Sequence, residues 1–358
     1  MPLPSKTSRH WPAAEDLPLA APHRMAYRVV GHRAGEAWLL LHGGPGASGQ
    51  PGMLGPLDLS RQWAVVPDQR GAGASRPRGG IVRNTTSALV SDLETLRDLL
   101  GIARWNVLAG SWGTVVALAY AQCHPERVGH MVLRGAFGVK RRELAGLLQP
   151  DSGVQHGAGR EPSWPRAPGY GVPSVLAALR QVVQSGTLGV AGLRAVRYWN
   201  RLEMACALVG LRRSLRHAAV QSDATLAVRI RRDRAQLQRG MRRAKAQASL
   251  PRMRPADKRL QAKYHVQGHY LAHRGFVRPG ALDRAVYTLA RHGTAIDWVH
   301  GRFDAVCPSA NSLRWAALGQ RALGPSQLHV TRSGHLGHEA DTFDVLCRVV
   351  RGVARGRQ

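Results

Sequence analysis

The sequence predicts an α/β fold: a mostly parallel sheet flanked by helices, with an inserted helical cap domain. Three observations lead there. Over the first 140 residues short apolar runs alternate with helical stretches, the pattern of a parallel sheet covered on both faces. After Leu148 a Gly/Pro-rich connector and then a helical stretch from about Ser174 to Lys263 break that pattern. Strand character returns near residue 295. The expected division is 1–145 for the first part of the core, 146–275 for the connector and cap, and 276–358 for the rest of the core.

Each element has its own signal. Ala37–Leu41 (AWLLL), Trp63–Pro67 (WAVVP), Trp105–Gly110 (WNVLAG) and Met131–Leu133 (MVL) read as buried strands. Between the second and third, Thr85 or Thr86 can cap a helix that carries Leu89, Leu93, Leu96 and Leu100 at helical spacing and stops at Gly101. The connector PDSGVQHGAGREPSWPRAPGYGVP is too rich in Gly and Pro for one helix or strand to span it. Ala295–His300 (AIDWVH) and Gln327–Thr331 (QLHVT) are the returning strands, and a last helix runs through TFDVLCRVVRGVA.

Composition narrows the function classes. At 44% hydrophobic, the chain can bury a sizeable core, which excludes wholesale disorder. No apolar run approaches the roughly 20 residues of a membrane-spanning helix. Pro and acidic residues stand where a signal peptide needs an apolar stretch. A cytoplasmic protein with no membrane partner is therefore expected. Cys123, Cys206, Cys307 and Cys347 lie far apart, against a disulfide scaffold or a zinc ribbon and in favour of packed thiols. The net charge of +29 is carried almost wholly by Arg, since only five basic residues are Lys. An Arg-biased composition spread over solvated faces accounts for it; nucleic acid or another polyanion is the alternative partner.

The strongest chemical signal is VLAGSWGTVVALAY. A strand ending at Gly110 meets a helix starting near Gly113, with Ser111 in the tight turn between them. Such a turn exposes the hydroxyl above the sheet, and small neighbours let strand and helix approach closely. Ala109 replaces the first Gly of the usual pattern. Upstream, LLLHGGPG places a Gly-rich loop (42–46) directly after a strand. That loop can offer one backbone N–H to a tetrahedral oxyanion, and the residue after Ser111, Trp112, can offer another. His42 precedes the Ser and reads as a structural residue, because strand-turn-helix serine hydrolases run Ser, acid, His along the chain. Asp304 in HGRFDAVCP and His335 in VTRSGHLGHE supply that order, each just past a strand. His338 competes as base, but Gly334 suits His335 to a loop at the strand end. In this arrangement the imidazole deprotonates Ser111 and Asp304 orients it.

Taken with DQRGAGAS (68–75), NTT (84–86), LRGAFGVKRRE and SGH, these motifs make the chain resemble the prolyl iminopeptidase family. These are α/β-hydrolase-fold serine aminopeptidases that release N-terminal proline. The resemblance implies the α/β-hydrolase fold, a triad of Ser111, Asp304 and His335, and oxyanion N–H groups from Gly44 and Trp112. It implies short peptides with N-terminal proline as substrates and no metal or organic cofactor. Cap glutamates of the family bind the free amino group, and RYWNRLEMA maps one of them to Glu203. The second maps to Gln267, because YHVQGHYLAHRGF has Gln267 and Gly268 where the family has Glu and Asn. A Gln accepts a hydrogen bond from an ammonium but does not neutralise it, so amine binding should weaken by about 1–3 kcal/mol. The rival expectation is an esterase or amidase for small acyl compounds that needs no free amine.

The expected cap is the most basic part of the chain. Leu211 to Lys263 holds sixteen Lys/Arg against three Asp, and no Phe, Tyr or Trp lies between Met204 and Lys263. Base stacking therefore has nothing to use. His265, His269 and His273 recur at i, i+4, i+8. Gly268 and the lack of a further ligand argue against reading them as a metal site.

Overall fold

The computed structural model describes residues 11–159, 161, 164–165, 171–184 and 188–353. The first ten residues and parts of the Gly/Pro-rich connector lie outside them. The sheet has eight strands: β1 (Glu15–Pro18), β2 (Arg24–Gly31), β3 (Glu36–Leu41), β4 (Gln62–Pro67), β5 (Trp105–Gly110), β6 (Val128–Arg134), β7 (Ala295–Gly301) and β8 (Ser326–Thr331). Their spatial order is β1-β2-β4-β3-β5-β6-β7-β8. The β1–β2 and β2–β4 pairings are antiparallel and all others parallel. The antiparallel edge had no counterpart in the sequence reading, because MAYRVV mixes Arg into its apolar run. The chain crosses from β3 to β4 through a loop with a 3₁₀ turn at Pro51–Leu54, not through a helix.

The central strands are buried on both faces, and alternate residues feed two cores. Trp38, Leu40, Val66, Leu108, Val132 and Val299 pack with Val345, Leu346 and Val350 of the last helix. Leu39, Leu41, Val65, Val107, Ala109 and Met131 face the opposite layer. That layer includes α1 (Thr86–Leu99), α2 (Trp112–Cys123) and α9 (Ala281–Arg291), and the last helix is α11 (Ala340–Val353). Thr85 caps α1, its hydroxyl oxygen accepting the Ala88 N–H at 3.2 Å, while the Thr86 hydroxyl donates to the Gly275 carbonyl. Gly101, at φ +65, follows the helix end. The four cysteines are free thiols; Cys206 and Cys307 are buried, but Cys123 is exposed at the end of α2 and is not a packed residue.

Between β6 and α9 the chain forms α3 (Arg141–Leu148), α4 (Ser152–Ala158), α5 (Val172–Val183), α6 (Val190–Val220), α7 (Ala224–Ala246) and α8 (Pro255–Ala272). The remaining helix, α10 (Ala310–Arg321), lies between β7 and β8. Helix α6 is the spine of this layer. Trp199 on α6 stacks on Tyr264 of α8 at 4.7 Å between ring centroids, and Trp164 packs edge-on against Trp199. Helix α7 buries Leu226, Ala227, Ile230 and Met241 and turns Arg231, Arg232, Arg239, Arg242 and Arg243 to solvent. Among the described residues no helix is long and apolar enough to cross a membrane.

One buried ion pair ties the loop before α8 to α6. The Arg197 guanidinium donates to both oxygens of Asp257, at 3.0 and 2.8 Å, and to the Leu250 and Arg252 carbonyls at 2.5 and 3.1 Å. Removing the guanidinium leaves the buried Asp257 carboxylate with Arg254 as its one remaining partner in these bonds. Arg197→Ala should therefore destabilise the protein by about 3–5 kcal/mol in urea unfolding; a loss within error of zero would mean the pair holds nothing in place.

Candidate active site

The site lies where the strand order reverses, since β3 has β4 on one side and β5 on the other. Loops leaving the carboxyl ends of such neighbours diverge and leave a crevice. The loop after β3 carries His42–Gly46 and the turn after β5 carries Ser111. Ser111 adopts φ 57°, ψ −128°, a strained conformation for a residue with a Cβ. Surrounding contacts hold it. Its N–H donates to the Arg134 carbonyl at 2.9 Å and its carbonyl accepts from Thr114 N–H. Helix α2 starts so close to β3 that a Cβ on Gly113 would lie 2.5 Å from the Leu41 carbonyl oxygen.

Gly43 is pressed against the Ser111 turn, where a Cβ would lie 3.2 Å from Ser111 Cβ. Gly44, at φ +120°, and Ser111 both line a cavity of about 260 Å³. Trp112 occupies the first turn of α2, where no helix carbonyl four residues back can take its N–H. Gly46 faces the layer above: a Cβ there would meet the Lys263 carbonyl of α8 at 2.5 Å. His42 is a buried structural residue. Its Nε2 accepts the Gln69 N–H at 3.1 Å, and the Gln69 amide donates to the His42 carbonyl at 3.0 Å. Gln69 also accepts from the Trp112 indole at 3.0 Å, so it ties the Gly-rich loop to α2.

Asp304 and His335 meet as the chain order suggests. His335 Nδ1 lies 2.7 Å from Asp304 Oδ2, and the other oxygen accepts the Val306 and Cys307 N–H groups at 2.8 and 2.9 Å. Burial alone would raise the Asp304 carboxyl; the imidazole charge of His335 and hydrogen bonds from His300 and His335 outweigh it and hold the carboxyl well below the usual range. His335 lines the same cavity as Ser111. Among the described residues no hydrogen bond joins the two, and the close partner of the Ser111 hydroxyl is Cys307 Sγ at 4.0 Å. Looser contacts of this kind are usual in an unliganded site and tighten with substrate. His338 makes no contact with Asp304; burial lowers its pKa, and it lines a neighbouring crevice instead.

Glu203 of α6 and Gln267 of α8 reach the cavity as well. Gln267 Nε2 donates to Glu203 Oε1 at 2.8 Å. Tyr264 OH donates to Oε2 at 3.1 Å, and Lys263 Nζ pairs with the same oxygen. The sequence reading missed Lys263, although it lies four residues before Gln267 and so shares its helix face. His265 and His269 are spent on core carbonyls, those of Gly79 and Asn84, at 2.8 and 2.9 Å. The Tyr270 hydroxyl donates to the Asn84 side chain at 2.6 Å.

Arg134 and Glu339 were also missed. The Arg134 guanidinium donates to the His335 carbonyl. Glu339 accepts the N–H groups on either side of His335, Gly334 at 2.6 Å and Leu336 at 2.8 Å. The only trace in the sequence is an acid four residues after the His. Helix α6 crosses directly above: Gly210 lets its backbone come close enough that a Cβ would touch Gly334 Cα and the Phe303 carbonyl at 3.0 Å.

With this geometry in view, the relatives become informative. The α/β-hydrolase fold family matches residues 38–339. A proline iminopeptidase of Xanthomonas citri is 30% identical over 342 residues, covering 93% of each chain. The chain belongs to the proline iminopeptidase family of α/β-hydrolases. A proline iminopeptidase of Xylella fastidiosa (strain 9a5c) is 46% identical, but over 134 residues, so the match spans 37% of this chain and 42% of that relative. Among solved structures, a meta-cleavage product hydrolase from Pseudomonas fluorescens IP01 superposes with a TM-score of 0.57 over 97% of this chain at 20% identity. That likeness concerns the fold.

Burial raises the Glu339 carboxyl to about 7, against the two N–H groups that favour its charge, and Asp304 and Asp233 add repulsion. Its contribution to stability is full below its unfolded pKa, near 4.5, and is lost as pH rises through about 7. Wild-type Tm should therefore fall between pH 5 and pH 8 relative to Glu339→Gln, whose side chain does not titrate. The Gln has one acceptor for two N–H groups, so kcat should also drop by about tenfold as His335 loosens. Parallel melting curves and unchanged turnover would remove Glu339 from this role.

Proposed function

We propose that the protein is a serine aminopeptidase that releases N-terminal proline from short peptides, with α4–α8 as the cap over its pocket. The observation that carries this reading is a carboxylate, Glu203, lining the same cavity as Ser111 and His335. An anionic group there gives a cationic N-terminus a partner while the adjoining carbonyl faces the nucleophile. Family membership supports the same reading, as does the hydrogen-bonded Asp304–His335 pair.

In this mechanism Ser111 Oγ attacks the first peptide carbonyl and His335 Nε2 takes its proton. The oxyanion is held by the N–H groups of Gly44 and Trp112. His335 then passes the proton to the leaving amine as the C–N bond breaks. Water, deprotonated by the same imidazole, hydrolyses the prolyl ester and returns the proton to Ser111. Asp304 keeps the tautomer and stabilises the imidazolium. The second reading, an esterase or amidase for small acyl groups, is favoured by one observation: Glu203 already holds the Lys263 ammonium.

Turnover of a proline arylamide beside a neutral aryl ester separates the two. Ser111→Ala should lower both by about a thousandfold or more. Glu203→Gln should lower arylamine release by about tenfold or more and spare the ester. Cleavage of the ester alone by wild type would establish the second reading and sink the first.

A further inference from the structure

Glu203 faces the cavity with no free oxygen. Oε1 accepts from Gln267, and Oε2 accepts from Tyr264 and the Lys263 ammonium. The Lys263 ammonium also lies 4.6 Å from the centroid of the Tyr264 ring, so a carboxylate and an aromatic face both hold it. This arrangement is what a bound substrate amine would make. The pair sits at the cavity wall and not in the core, with side chains 30% (Glu203) and 22% (Lys263) exposed. An ion pair so placed holds weakly, and a ligand can displace it. Gln267 is 2% exposed, yet its Oε1 is buried with no hydrogen-bond partner among the described residues. An unsatisfied buried acceptor beside a carboxylate suits a ligand that brings an N–H donor.

We propose that Lys263 is the resident counter-ion of the amine subsite and a specificity-determining residue. An entering secondary ammonium exchanges with Lys263 at Glu203 and donates its other N–H to Gln267 Oε1. A substrate with a neutral end has no such exchange to make. Lys263 thereby weakens binding of cationic substrates and leaves neutral ones unaffected. This inference rests on the amine-binding role of Glu203 proposed above. Arg134, the other cation lining the cavity, stays engaged with the His335 carbonyl.

Two inhibitors of aryl ester turnover test it: L-prolinamide, and its neutral ring analogue cyclopentanecarboxamide. The readout is the ratio of their inhibition constants within each variant, which cancels general damage to the site. Lys263→Met should shift the ratio toward prolinamide by about three- to fivefold. Lys263→Gln guards against misfolding of the first variant and should shift it likewise, whereas Lys263→Arg should keep the wild-type ratio. In a Glu203→Gln background the Lys263 substitutions should have no effect. An unchanged ratio in the Met and Gln variants, or a shift away from prolinamide, overturns the proposal. Failure of the aminopeptidase reading looks different: proline arylamide stays intact with wild type and Lys263→Met while both still cleave the ester.

Discussion

The structure depends on the close contact between the start of α2 and the end of β3. Gly113 leaves no room for a side chain under the Leu41 carbonyl, and Ser111 is forced to positive φ as the chain turns from β5 into α2. That strain, of order 1–3 kcal/mol, is tolerable only because neighbouring strands are fully buried and their registers overdetermined. The Gly-rich loop is drawn against the same turn and secured by Gln69 and His42. Two separate stretches of chain, 41–46 and 110–113, thus meet through backbone contacts that exclude Cβ atoms, and Gln69 ties both by hydrogen bonds.

Asp304 and His335 are positioned differently, by hydrogen bonds to the loops that carry them. Asp304 takes two backbone N–H groups of its own loop, and Glu339 takes two from the His335 loop. Helix α6 lies across both loops at Gly210, so one helix touches the acid and base loops and also carries Glu203. Under the proposed function, one helix would therefore couple chemistry and recognition. The glycine at the crossing lowers helix propensity by about 1 kcal/mol, and the crossing distance explains why it is there.

Several motif residues with no chemical role prove to be ties between layers. Arg70 holds Asp92 with two bonds of 2.6 and 2.7 Å. Asn84 and Thr86 bind His269, Tyr270 and the Gly275 carbonyl, which fastens the end of α8 to the core. Of the histidines that the sequence spaced as if for a metal, His265 and His269 serve this fastening, while His273 bonds the His269 carbonyl of its own helix. The basic residues of α7 face solvent because the helix has one apolar stripe and every Arg falls outside it or at its margin.

The parallel strands, the tight turn at Ser111 and the meeting of Asp304 with His335 were legible in the sequence. Local periodicity, small residues at a tight turn and short motifs past strand ends are properties of contiguous chain. The antiparallel edge was not legible, because its strands carry Arg and Glu among apolar residues and pair through registers set far away. Nor were Arg134 and Glu339, which act on His335 through backbone groups, as carboxylates and guanidinium groups do in many ordinary loops. The sequence by itself determined which residue types could do acyl chemistry, and the resemblance it carries sets Gln267 where a carboxylate is expected. Only the tertiary structure decided that Lys263 stands beside Glu203. That pairing joins α6 to α8 across sixty residues, and the partner of a charge in a cavity is set by how helices pack.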